Sequence, residues 1–326
     1  YLETEESCKE DDYNWCLSYV DDTVALARDL RQCDRRAWML MYVATETGLW
    51  LAPHKCHTHV RAADLLGNTL ALVDGDIRIY AQRHKVAAVM KMPEPKRDRR
   101  QLLSALASAS WWRKSIPGFA KITEPLYALT AASKVVKKDW SDMHSDAWLK
   151  LKQGISRATC RYPNNVNLQK VIVTDAAQGK TLPDGTIDGG GLGGFVAQID
   201  DRSGMLQPLG FMARPLVGNE KHMSPRELER RAIIATCHAF SDEVMGTRVV
   251  CQVRTDHQGL TCLQVNDKSG QISQTEGTEL RFLNKMRLDV CYVPGISPVM
   301  APSDRLLRIV PTSADQIGPF EGGSRD

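Results

Sequence analysis

The sequence predicts a multidomain chain of mixed α/β and α+β class, with a five-stranded α/β unit in its second half. Three observations carry this. At 326 residues the chain exceeds one ordinary hydrophobic core, and its length suggests two or three domains. Short runs rich in β-branched residues recur near Val171–Thr174, Gly194–Ile199, Leu206–Met212, Arg248–Arg254 and Leu288–Val293, and such runs read as buried strands. Helical spacing fills the gaps between the later runs and much of the first half.

Composition narrows the class. A hydrophobic fraction of 43% and a charged fraction of 25% are those of a globular protein. No apolar run approaches a membrane span, and the start (Tyr1-Leu-Glu-Thr-Glu-Glu) lacks signal-peptide character. A chain beginning at Tyr1 reads as a piece of something longer. Nine cysteines without a Cys-x-x-Cys pair predict reduced thiols in an intracellular setting. The net charge of +3 is too small to argue for nucleic acid, whereas the local run Lys96, Arg97, Arg99 and Arg100 points to a basic surface as readily as to a solvated linker.

In chain order, Asn14 to Leu26 reads as strand, two-acid turn (Asp21-Asp22), strand. Adjacent carboxylates at a hairpin tip repel unless a cation lies near them, although Asp also suits turns. Asp34 to Gly48 has helical spacing and a glycine stop. Cys56, His57 and His59 lack a second ligand pair at finger spacing, which argues against zinc. Lys91 to Pro95 is a proline-punctuated linker, followed by a helix from about Arg99 to Ser115. The strand at Val171–Val173 stops at an acid, Asp175, and a glycine-rich stretch leads into the next strand. The run Gly189–Gly194 is no phosphate cradle, since neither a Gly-Lys-Ser/Thr nor a helix follows it. Ser224-Pro225 is an N-cap with proline at the first helical position, and the helix should run to about Met245. Pro311 to Asp326 reads as a disordered tail. Besides Asp175, three more acids lie at the ends or starts of elements: Glu229, Asp256 and Asp304.

Many small motifs, in order, resemble the Pol polyproteins of gypsy-type LTR retrotransposons. Tyr19-Val20-Asp21-Asp22 resembles the reverse-transcriptase palm motif. Gly48 to Cys56 and Asp64-Leu65-Leu66-Gly67 resemble the following palm segments, the latter the primer grip. Trp111-Trp112-Arg113-Lys114, with Ile116-Pro117 and Phe119, resembles the thumb. Glu124-Pro125-Leu126, Asp139-Trp140 and Ala147-Trp148 resemble the connection. Thr174-Asp175-Ala176, Gly191 to Gln198, Ser224 to Ala232, Thr255-Asp256-His257 and Val293-Pro294-Gly295 with Asp304 resemble the ribonuclease H domain. The sequence departs from that pattern in a long loop at Gln178–Gly190, in Arg230-Arg231 where the family has Leu, and in an interval before Asp304 that is two residues too long.

The resemblance implies the end of a palm over residues 1–90, thumb and connection over 91–168, ribonuclease H over 169–310 and a tail over 311–326. It also implies two Mg²⁺ ions, for which Mn²⁺ can substitute, held by Asp175, Glu229, Asp256 and Asp304, with Glu227 as the alternative to Glu229. Asp21 and Asp22 would be polymerase metal ligands. They cannot hold two ions alone, so no polymerase activity is expected of this chain by itself. Gly67, Lys96, Arg97, Arg113 and Lys114 would contact nucleic acid. The implied partners are RNA–DNA hybrid, primer–template duplex and the rest of the polyprotein, with a homodimer allowed, in a cytoplasmic virus-like particle. A decayed element that binds hybrid without cutting it is the alternative.

Overall fold

The computed structural model describes residues 16–20, 22–27, 29–131, 134–158, 160–181, 187–260, 278 and 281–294. The chain divides into two compact units, residues 1–82 and 83–326.

The first unit begins with the expected hairpin, β1 (Cys16–Tyr19) paired antiparallel with β2 (Asp22–Ala25). At its tip Val20 has φ 55°, a left-handed conformation that a β-branched residue adopts only under strain. Helix α1 spans Leu30–Glu46, starting four residues before Asp34 because Asp29 caps it: its side chain accepts from the Gln32 N–H at 2.8 Å. A three-stranded meander that strand periodicity had not revealed follows, with β3 (Ala62–Leu65), β4 (Asn68–Val73) and β5 (Asp76–Ala81). Its two-residue turns, Leu66-Gly67 and Asp74-Gly75, both have two consecutive positive φ values, the mirror-image turn that suits strand twist. Among the described residues of this unit only two apolar side chains, Ala44 and Ala71, are buried. Trp38 is 61% and Trp50 99% exposed.

The second unit opens with helices α2 (Arg83–Lys91), α3 (Arg99–Ser110), α4 (Phe119–Ala128), α5 (Val136–Asp139) and α6 (Asp142–Ser156). Helix α3 stops at Ser110, short of the expected Ser115, and a 3₁₀ turn at Arg113–Ser115 follows. That break separates the two tryptophans. Trp112 is buried at 4% exposure, whereas Trp111 is 55% exposed with Lys85 Nζ 5.8 Å from its ring centroid.

The expected five-stranded sheet is present. Its strands are β6 (Lys170–Ala177), β9 (Gly191–Ile199), β10 (Leu206–Pro215), β11 (Cys251–Thr255) and β12 (Leu288–Tyr292), in the order β10-β9-β6-β11-β12. β6 is antiparallel to β9 and parallel to β11, so the sheet is mixed. The long loop after Asp175 carries a small ladder of its own, β7 (Lys180–Thr181) with β8 (Ile187–Asp188). Val171, Ile172 and Val173 are fully buried, which explains an unbroken apolar run where a half-exposed strand would alternate.

Helix α7 (Pro225–Ala239) packs on β6 and β9. The predicted single helix to Met245 instead breaks at Phe240, whose ring is fully buried, and resumes as α8 (Ser241–Met245). The glycine run has its reason here. A Cβ on Gly194 would lie 2.0 Å from Thr236 Oγ1, so only glycine lets α7 approach β9 this closely.

Candidate functional site: three carboxylates at the strand ends

Asp175 lies near the C-terminal end of β6, and Asp256 follows directly on β11. The two strands run parallel with Arg254 level with Val173, so two further residues along each bring Asp256 level with Asp175. The C-terminal edge of parallel strands is where α/β sheets present functional groups. Glu229 comes from α7, which Gly194 allows to lie close. Oxygens from Asp175, Glu229 and Asp256 all lie within 4.8 Å of one another. Among the described residues this is the one such group of three or more His, Cys, Asp or Glu side chains.

The capping of α7 separates the two candidate glutamates. Ser224 and Glu227 form a capping box, with Glu227 Oε2 accepting from the Ser224 N–H at 2.8 Å and from its hydroxyl at 2.7 Å. Glu227 is exposed and committed there. Glu229, two residues on and some 200° around the helix, turns inward. It is 6% exposed, and its Oε1 accepts the Ala176 N–H at 2.9 Å. That bond ties α7 to β6 beside Asp175, and no sequence signal announces it because the donor is backbone.

Three acids at this distance cannot all be charged cheaply. Burial pushes the Glu229 carboxyl up to about 8, helped by the charges of Asp175 and Asp256 and opposed by the Ala176 N–H. Its Oε2 is buried without a hydrogen-bond partner. A buried acceptor with no donor, between two further carboxylates, fits a hard divalent cation that takes oxygen ligands.

Among the described residues no other predicted position joins this group. Asp21 and Asp304 lie outside the described residues. Asp22 opens β2 and is exposed. Gly67 occupies the β3–β4 turn at φ 76°. Lys96 and Arg97 are exposed beside Glu94 and Asp98, at 3.1 and 3.5 Å. Arg113 is exposed, while Lys114 lies over the Phe240 ring and pairs with Glu243 at 3.1 Å, so it also fastens the helices to α8. His257 starts a turn, its Nδ1 accepting from the Gly259 N–H at 3.2 Å. His59 Nε2 pairs with Asp34 at 2.7 Å, apart from any grouping of candidate metal ligands.

The mixed five-stranded sheet, with α7 packed on β6 and β9, has a ribonuclease H-like fold. Residues 187–280 match the family model described as the RNase H-like domain found in reverse transcriptase. The chain is 26% identical over 214 residues to the Gag-Pol polyprotein of Woolly monkey sarcoma virus, covering 64% of this chain and 11% of that protein. Over 300 residues it is 24% identical to the retrovirus-related Pol polyprotein from transposon opus of Drosophila melanogaster, covering 91% of this chain and 28% of that protein. The chain therefore spans less than a third of the length of these relatives. A foamy viral protease–reverse transcriptase, solved in complex with RNA/DNA hybrid, shares the fold with a TM-score of 0.71 at 15% identity, over 95% of this chain and 38% of its own. The likeness to reverse transcriptase–ribonuclease H polyproteins read from the motifs holds, and the relatives, retroviral and transposon alike, do not single out the gypsy type. Among the described residues no helix is long and apolar enough to cross a membrane.

Proposed function

We propose that this chain is the ribonuclease H-bearing part of a retroelement reverse transcriptase and hydrolyses the RNA strand of RNA–DNA hybrids. RNA-directed DNA synthesis, with Asp21 and Asp22 among its ligands, would belong to the longer parent. The observation that carries the reading is the convergence of Asp175, Glu229 and Asp256 around a buried, unpartnered Glu229 Oε2. These three would hold divalent metal, Mg²⁺ by its preference for oxygen ligands and Mn²⁺ in substitution, with Asp304 as fourth ligand. When bound, such ions supply activation of water and neutralisation of charge on the attacking and leaving oxygens.

The chain's own residues do the rest. The Ala176 N–H holds Glu229 against β6. The three carboxylates, fixed on two strands and a helix, keep their spacing before substrate arrives. Lys96, Arg97, Arg113 and Lys114 would take backbone phosphates, and Gly67 would let the strand of a primer–template approach the palm turn. Hybrid would be recognised by shape and 2′-hydroxyls, so sequence preference should be slight. In this proposal residues 1–90 end a palm, 91–168 form thumb and connection, and 169–310 form the nuclease. The element would work in a cytoplasmic virus-like particle with the rest of its polyprotein.

The test is cleavage of end-labelled RNA within a hybrid, with Mg²⁺, with chelator, and with Glu229→Gln and Glu227→Gln. Metal-dependent cleavage that Glu229→Gln abolishes and Glu227→Gln spares supports the assignment. Loss only in Glu227→Gln would move the ligand by two residues. A folded protein that binds hybrid but never cuts would be the decayed, binding-only form.

A further inference from the structure

Within the second unit a cleft of about 860 Å³ lies between α3–α4 on one side and β10 with α7 on the other. Its volume is that of a site for an organic ligand. Four basic residues line it, Arg113, Lys114, Arg214 and Arg231, against a single acid, Glu124. Lys114 is committed to Glu243, Arg214 to Glu220 through two bonds of 2.6 Å, and Arg231 has interactions of its own in the fold, the charge of Glu220 among them. Arg113 is exposed on the helical wall. Each wall also offers an exposed ring: Tyr127 on α4, 41% exposed, and His238 on α7, stacked on Phe282 at 3.7 Å between centroids.

Past Glu124 and Arg214 the same walls continue to a smaller recess lined by Ala177 and Gly190. Ala177 is two residues beyond Asp175, so the cleft leads towards the carboxylate cluster. Exposed rings and excess positive charge in one cleft are the combination that receives an unstacked base together with its phosphate.

We infer that this cleft is a binding site for a nucleotide, presented either as a free mononucleotide or as the phosphorylated end of an unpaired strand, with Arg113 taking the phosphate and Tyr127 the base. The site is separate from the carboxylate cluster and needs no metal; it shares Arg113 with the proposed hybrid contacts, so its test uses neither hybrid nor metal.

The test is calorimetric titration of the full chain in chelator, with AMP, with adenosine and with a 5′-phosphorylated thymidine tetranucleotide. Binding of AMP or of the tetranucleotide, with adenosine much weaker, is expected. AMP binding as well as the tetranucleotide would mark a free nucleotide as the source, and the tetranucleotide binding far better would mark a strand end. Tyr127→Ala should weaken binding about 5- to 160-fold, the worth of one stacked base, with Tyr127→Phe close to wild type. Ala128→Trp, at an exposed lining position, should block the cleft without touching the core. Asp175→Asn should bind like wild type. No binding of either phosphorylated probe, binding indifferent to Ala128→Trp in a variant with a native circular dichroism spectrum, or binding lost in Asp175→Asn would overturn the inference.

Discussion

The most informative perturbation is Glu229→Gln read as stability, because it separates the electrostatics of the cluster from catalysis. A carboxyl whose folded value lies above its ordinary one keeps a proton in the native state that the unfolded state has already released. Stability therefore falls as pH rises from about 4.5 to about 8 and levels off above that. A displacement from 4.5 to about 8 sets an upper bound of roughly 5 kcal/mol on that loss. Relaxation and water entry around ionised Glu229 should leave about 1–3 kcal/mol of it. Glutamine keeps an oxygen for the Ala176 N–H and removes the titration. Without metal, the variant should match wild type near pH 4 and exceed it by that margin at pH 9, measured by urea unfolding in chelator. Millimolar Mg²⁺ should then raise wild-type stability, since a ligand that binds only the native state stabilises it, and should do little for the variant. Parallel pH profiles for the two proteins in chelator would refute the reasoning.

Other outcomes follow from packing and pairing. Gly194→Ala should cost about 1–3 kcal/mol, since the new methyl falls on Thr236, and adding Thr236→Ala should recover part of it in a double-mutant cycle by thermal unfolding. Arg214 holds the Glu220 carboxyl below its usual range, so that pair contributes stability above about pH 4.5 that is lost as pH falls through the depressed value. Glu220→Gln should flatten the acid limb of the stability curve, followed by circular dichroism. Trp112→Ala should cost about 3–5 kcal/mol from a buried site. Trp111→Ala, at an exposed site, should cost within about 0.5 kcal/mol by the same measurement.

The order of elements in the second unit was legible because each carries a local signal. Val171–Val173 is an unbroken β-branched run, Ser224-Pro225 is an N-cap with proline at the first helical position, and Asp175 and Asp256 lie at the C-terminal ends of strands. The meander of β3 to β5 was less legible. Its strands are four to six residues long and mostly half-buried, and the turns at Gly67 and Gly75 were its best clue. Where helices stop was decided by side chains finding a core: Trp112 ends the region after α3, and Phe240 splits α7 from α8.

The sequence by itself determined which residue types could make the site and on which elements they ride. Its motif spacing pointed to Glu229 and kept Glu227 as the nearby alternative. The tertiary structure decided between their positions, giving one to the helix cap and turning the other towards Asp175. It also decided why position 194 must be glycine, and that Arg113 and Tyr127, fourteen residues apart, line one cleft. Apart from the helix cap, which is local, each of these depends on distance between segments remote in the chain. Local propensity carries no information about such distances until the sheet and the helix have packed.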